Sequence, residues 1–159
     1  MFCLVNRHWK KIRKFEFSSR EDKRLLTFPA KIAININKDI CIIDYDHVSL
    51  AKANLRKYKP RKGSIVTISE WGTPKWTYHG HPIINEEVIF TPLDIVTSSL
   101  GYVIVADRDS HGIHVLSLNG QFITNIADGC DIEHPMSLNI DGKGRIMIGC
   151  YSESETSQL

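Results

Sequence analysis

One short pattern occurs three times in this chain, and no other feature limits its fold as sharply. Pro29, Pro92 and Pro135 each open a copy. An apolar residue follows three positions later: Ile32, Ile95 and Leu138. Two more stand at the eleventh and thirteenth positions: Ile40 and Ile42, Val103 and Val105, Ile146 and Ile148. The fifteenth position holds Asp44, Asp107 and Cys150. Between the apolar groups lie turn segments, Asn37 to Asp39, Ser98 to Gly101 and Asp141 to Gly144. Apolar residues two apart share one face of a strand. Each copy is therefore predicted to be a strand, a tight turn and a second strand. Where the turn holds glycine, it supplies a positive φ at which a side chain would clash.

The second copy runs on into two more strands. Gly112 to Leu118 alternates and ends at Asn119-Gly120, a strong hairpin signal. Gln121 to Ile126 follows as a fourth strand. Four antiparallel strands make one propeller blade, and the 43 residues from Pro92 to Pro135 fall in the ~40–45 of a blade repeat. The step from Pro29 to Pro92 is 63 residues. The surplus falls between residues 45 and 62, before the predicted strand Gly63 to Ile68; Trp76 to Tyr78 is the outer strand of that blade. At the N-terminus, Trp9, Ile12, Phe15 and Phe17 alternate loosely with basic residues before a polar turn, Ser18 to Asp22.

The expected fold is thus all-β, a partial β-propeller of about two and a half to three four-stranded antiparallel blades. Residues 1–24 are the end of a preceding blade, and 25–89 are a blade with a basic loop insertion at 45–62. Residues 90–133 are a complete blade, 134–151 the first two strands of another, and 152–159 a polar tail. Propellers close rings of about 4–8 blades. Fewer than three leave unpaired strand edges at both ends, a template for pairing with other chains. The expectation is either part of a longer product or a piece that assembles with copies of itself.

Composition is globular, with 42% hydrophobic and 24% charged residues. No apolar run approaches the ~20 residues of a membrane span. The apolar start, Met1 to Val5, meets Arg7, Lys10, Lys11, Arg13 and Lys14 with no small-residue cleavage site. A soluble cytoplasmic protein is expected, with no membrane partner. Cys3, Cys41, Cys130 and Cys150 show no C-x-x-C spacing and are expected to be structural thiols. Net charge is +2 but uneven: residues 1–80 hold 17 Lys+Arg and 7 Asp+Glu, residues 81–159 hold 3 and 11. Such asymmetry marks either an interaction surface or two sectors that balance each other.

The candidates for chemistry divide by position. Asp44-Tyr-Asp46 and Asp107-Arg-Asp109 could serve as metal or acid–base carboxylates. Because they recur at one repeat position, the expectation is architecture, with Asp accepting backbone N–H bonds in the strand-exit turn. His79 and His81 could share a strand face, and His111 and His114 form a second pair, but no third ligand is evident; no metal or other cofactor is expected. No G-x-S-x-G elbow, Walker-A loop or G-x-G-x-x-G loop occurs. The insertion carries Lys52, Arg56, Lys57, Lys59, Arg61 and Lys62 with no acid, and Tyr58 lies among them. Basic groups neutralise phosphates and an aromatic stacks on a base, so an RNA or other polyanion site is open there, beside a merely solvated loop.

The repeats resemble the NHL repeat. Phe90 to Val96, Val103 to Asp107, His111 and Asn119 to Ile123 match its Pro-strand, strand ending in Val-Ala-Asp, and later Gly turn. The first copy matches as far as Ile43-Asp44; the third departs at Cys150, which leaves its exit turn without the usual carboxylate. Pro29, Asp44, Pro92, Asp107, Gly120 and Pro135 are the repeat's structural positions. More narrowly, Ile84 to Pro92, Gly120 to Ile123 and Pro135 through Cys150 look like the C-terminal part of tripartite-motif (TRIM) proteins with an NHL propeller, of the expanded invertebrate type. That resemblance implies a substrate-recruiting, protein-binding module of an E3 ubiquitin ligase. The zinc-binding RING and the coiled coil that define such a ligase are not in this sequence, so the chain is expected to be non-catalytic. NHL propellers also imply an alternative, an RNA-binding surface, and a second, a metal-dependent lyase.

Overall fold

Dense runs of β-branched residues, punctuated by Gly, Ser and Asn, favour strands and tight turns over helices. In a computed structural model of the chain, the described residues are 2–5, 8, 10–15, 25–46, 62–126 and 131–152. Every regular element among them is a strand: β1 (Phe2–Val5), β2 (Lys11–Phe15), β3 (Phe28–Ile34), β4 (Ile40–Tyr45), β5 (Gly63–Ile68), β6 (Pro74–Tyr78), β7 (Pro92–Thr97), β8 (Val103–Asp107), β9 (Gly112–Leu116), β10 (Phe122–Asn125), β11 (Pro135–Ile140) and β12 (Ile146–Cys150). Strands β3 to β6 form one four-stranded sheet in chain order, and β7 to β10 form another. Strands β1–β2 and β11–β12 form two-stranded sheets. All neighbouring strands are antiparallel. The result is an open, partial β-propeller. The apolar start of the chain, read from sequence only as a short run, is strand β1.

The repeat fixes which way each side chain faces. In β7–β8, Ile95, Val103 and Val105 face the sheet β3–β6, where they meet Cys41, Ile43, Tyr45 and Ile65. Their sequence neighbours Ile104 and Ala106 face the other way, onto Leu138, Ile140, Ile146 and Ile148 of β11–β12. The central sheet is thus buried on both faces, which is why β8 reads as the unbroken run Val-Ile-Val-Ala. Each fully buried Ile or Val contributes about 1.5–3 kcal/mol relative to exposure.

Asp94 joins three sheets. On β7, its carboxylate accepts the Leu138 N–H of β11 at 3.0 Å and lies 3.6 Å from the Lys31 ammonium of β3. Tyr45 donates its hydroxyl to the Pro92 carbonyl at 2.6 Å.

Five hairpin turns among the described residues share one design. Asn35, Ser69, Ser98, Ser117 and Asp141 each accept from the N–H three residues on and donate to the C=O four residues on, all within 2.8–3.0 Å. The residue three along has positive φ: Lys38, Gly72, Gly101, Gly120 and Gly144. This is a type I turn closed by a left-handed residue. At Ser69, Ser98, Ser117 and Asp141, the side-chain oxygen also accepts backbone N–H groups inside the turn. Asn119-Gly120 therefore makes a hairpin, but of this bulged kind, with only Gly120 at positive φ. A Cβ on Gly120 would stand 2.5 Å from the Trp76 ring, so close packing as well as φ demands glycine there.

Candidate functional site

The repeat aspartates are structural clamps. Asp44 accepts the Thr27 and Phe28 N–H groups at 2.9 and 2.7 Å, and Asp107 accepts the Thr91 N–H at 2.8 Å. These donors stand just before the first strand of each repeat or at its first residue, so the carboxylates hold the entry to the sheet. They were expected in the exit turn. The third copy has Cys150 instead, which is exposed. There the His134 N–H, equivalent to that of Thr91, reaches His111 Nδ1 at 3.3 Å. The backbone closure survives without the carboxylate: Tyr151 N–H donates to the His134 carbonyl at 3.1 Å, as Arg108 does to Thr91.

Around Asp107 a polar network runs from the buried core to the half-buried Asn85 and His81. Asn85 Nδ2 donates to the second Asp107 oxygen at 2.7 Å, and Asn85 Oδ1 accepts the His81 N–H at 2.8 Å. His114 Nε2 lies 3.6 Å from that same Asp107 oxygen, too far for a hydrogen bond. His114 Nδ1 is 2.9 Å from the Tyr78 hydroxyl. The roles across this bond follow the tautomer: a neutral His114 with its proton on Nε2, turned toward the Asp107 carboxylate, has Tyr78 donate and Nδ1 accept. Burial, and then the neighbouring His81, lower the His114 pKa to about 4. Burial raises the Asp107 pKa against the pull of its Ser110, Asn85 and Thr91 hydrogen bonds. Burial and Asp107 push the Tyr78 hydroxyl well above its ordinary value.

A carboxylate, an imidazole and a hydroxyl in line have the outline of an acid–base relay. Here Asp107 and His114 are fully buried and Tyr78 nearly so. The three groups are also packed into the core. His114 stacks on Phe90 at 5.4 Å, and Phe90 meets Tyr78 edge-on.

The histidine pairs read from sequence do not form. His79 and His81 lie beyond the end of β6, so the shared strand face does not arise; His81 instead packs on Phe122 at 4.1 Å. His114 is buried in β9, while His111 is exposed at positive φ and pairs with His134 at 4.3 Å. Among the described residues, no group of three or more His, Cys, Asp or Glu is placed to hold a metal ion. Nor is any helix among them long and apolar enough to cross a membrane.

Of the candidate binding residues, Lys52, Arg56, Lys57, Tyr58, Lys59 and Arg61 lie outside the described residues. Lys62 is described, and its carbonyl accepts the Asp46 N–H at 3.2 Å, so the two anchors of the insertion close on each other. The insertion joins β4 to β5. Because strands alternate in direction, it leaves from the propeller face opposite the five bulged turns.

The turn face carries a feature that the sequence reading missed. Ile36, Trp71 and Leu100 each stand more than half exposed, on three adjoining turns. Asn35 Nδ2 donates to the Gly101 carbonyl at 3.3 Å, and Ile36 packs over Gly101, so the first and third turns touch. Ile40 pairs with Ile68, so the second turn lies beside the first. Trp71 and Leu100 both precede the positive-φ glycine, a position filled by a polar residue in the other three turns. Aligning the five turns would have revealed them.

No family model matches this sequence, and no curated protein matches it. Among solved structures, the chain is similar to a protein of unknown function from Bacteroides caccae, with a TM-score of 0.54 and 11% identity. The match covers 94% of this chain and 46% of that one, so the chain spans less than half the length of its neighbour. At that identity the likeness is one of fold alone, and the fold is an open all-β arrangement of propeller blades.

Proposed function

We propose that this chain is a non-catalytic recognition module, an NHL-type propeller segment that recruits a protein partner, as in a TRIM–NHL-like E3 ubiquitin ligase. One observation carries the protein-binding part. Ile36, Trp71 and Leu100 project from adjoining turns of one face, where solvent alone would favour polar residues. Recognition surfaces concentrate in loops held by a rigid scaffold, and large apolar or aromatic anchors dominate their binding energy. The repeat Asp and the buried His are meanwhile taken up by the scaffold. The NHL and ligase assignments rest on the repeat resemblance.

Proximity labelling in cells, with the full chain as bait, tests this. Proteins recovered with the wild type are expected to be lost with Trp71→Ala/Leu100→Ala while the melting temperature stays unchanged. An identical set of recovered proteins would sink the turn face as the binding surface.

A second reading has its own observation, the six basic residues between 52 and 62 with no acid among them. On that reading, fluorescence anisotropy detects single-stranded RNA binding that weakens steeply between ~50 and ~200 mM salt. Lack of binding at the lower salt removes it.

A further inference from the structure

We propose that the partner seated on the turn face is an acidic peptide segment with apolar side chains, held by the apolar surface of Trp71, Leu100 and Ile36 and by the charge of Lys38, Lys143 and Arg145. The proposal rests on the turn face being the binding surface, and it names the chemistry of what binds there. Its first support is how the turns use their charged groups. The five turns hold Asp39, Glu70 and Asp141 against Lys38, Lys143 and Arg145. Two of the three carboxylates are taken up by the turns themselves. Asp39 is 3% exposed and accepts the Lys75 ammonium at 2.8 Å and the Asn37 amide at 2.5 Å. Asp141 accepts the Lys143 and Arg145 N–H groups, both at 2.9 Å, and Arg145 Nε at 2.7 Å. All three cations are exposed, and Arg145 keeps its side chain 74% exposed while bonded to Asp141. The face turns its cations outward and most of its carboxylates inward.

The second support is where charge falls in residues 81–159. That stretch holds 3 Lys+Arg and 11 Asp+Glu. Spread evenly, such an excess of acid would leave its share of the turn face negative. Two of the three cations, Lys143 and Arg145, nevertheless stand on the β11–β12 turn. Its exposed carboxylates among the described residues are Glu86, Glu87, Asp131 and Glu133, and they lie in the β6–β7 and β10–β11 connections, on the opposite face. Leu100 stands between the cations. Its turn bonds the turn of Lys38 through Asn35 and Gly101, and β11–β12 packs against the other side of its sheet. Leu100 is 77% exposed although its sheet has a neighbour on each face.

An apolar centre flanked by cations matches a segment that mixes carboxylates with large apolar side chains. The apolar anchors supply most of the affinity. The charges speed encounter and penalise basic competitors. A single-stranded nucleic acid would need aromatic faces for its bases and a groove of cations along its backbone. Leu100 and Ile36 are aliphatic and offer no such face, so a peptide is the better fit.

The test is to select binders to the purified 159-residue chain from a displayed library of random linear peptides. The selected peptides should be rich in Asp and Glu beside Leu, Phe or Trp. In fluorescence anisotropy, Trp71→Ala/Leu100→Ala should weaken them by about thirtyfold or more. Lys38→Glu/Lys143→Glu should weaken the same peptides about tenfold. Raising salt from ~50 to ~500 mM should weaken them about fivefold. All four substitutions are at exposed turn positions, and each variant should keep the wild-type melting temperature. Peptides that need Trp71 and Leu100 but carry no excess of acid, or that charge reversal does not weaken, overturn the acidic assignment and leave the turn face as the binding surface. Peptides that ignore Trp71→Ala/Leu100→Ala remove the turn face itself, and the proposal falls with it. An empty selection overturns the proposal, and proximity labelling then decides the turn face on its own. A single-stranded oligouridylate that binds with the same dependence on Trp71, Lys38 and Lys143 overturns it in favour of nucleic acid.

Discussion

At the scale of single residues, His114 couples this fold to pH. Its pKa falls to about 4 in the folded chain, against 6.5 for the free side chain, because burial disfavours the imidazolium. Below about pH 6.5 the unfolded chain binds a proton that the folded chain refuses. Stability is therefore lost as pH falls from about 6.5 toward 4, by something on the order of 3 kcal/mol. The raised pKa of Asp44 and of Asp107 acts in the opposite sense, since the folded chain takes up those protons first. Urea unfolding at pH 7.5 and pH 5 separates the effects when the wild type is compared with Tyr78→Phe/His114→Phe. That pair keeps two rings in place and leaves no hydroxyl without an acceptor. The wild type should lose more stability between the two pH values than the pair does. Equal losses would mean that His114 is not the group responsible.

At the scale of the sheet, the entry clamp makes the repeat an element rather than two chance strands. Replacing Asp107 with Ala leaves the buried Thr91 N–H without its acceptor and takes one from the half-buried Asn85 amide, which costs about 2–3 kcal/mol. Denaturant unfolding should register that loss, and a change below about 0.5 kcal/mol, the usual scale of surface substitutions, would remove Asp107 from the clamp. The strands of the repeat were legible because Pro29, Pro92 and Pro135 phase the apolar positions so regularly. The two-sided burial of β4 and β8 was legible only in hindsight, in the continuous runs Ile40 to Ile43 and Val103 to Ala106. Period-two alternation picks one face, and these strands bury both. Strand β1 was missed because a four-residue apolar run at a chain start carries no turn signal before it. His79 was paired with His81, and His111 with His114, by spacing, which knows nothing of where β6 ends or of the positive φ at His111. Ile36, Trp71 and Leu100 escaped notice because each looks like an ordinary core residue until the turn holding it is placed in space.

At the scale of the whole molecule, stability should be graded from the centre outward. The sheet β7–β10 is covered by apolar side chains on both faces, and Val103, Val105 and Ala106 of β8 are fully buried. The sheet β11–β12 is covered by apolar side chains from the central sheet on one face, and Met136, Met147 and the following Tyr151 are exposed. Amides open locally at a free energy set by the contacts that opening breaks. Native-state hydrogen exchange on the purified chain should find β8 and β9 exchanging at the rate of global unfolding. Strands β11 and β12 should exchange faster by ten- to a hundredfold, corresponding to about 1.4–2.8 kcal/mol less protection. Peptides from β12 that exchange as slowly as those from β8 would show that the sheet β11–β12 and the central one unfold as a single cooperative unit. In that case the propeller segment transmits stability along its whole length, and the edge sheet gains its order from contact with the central blade alone.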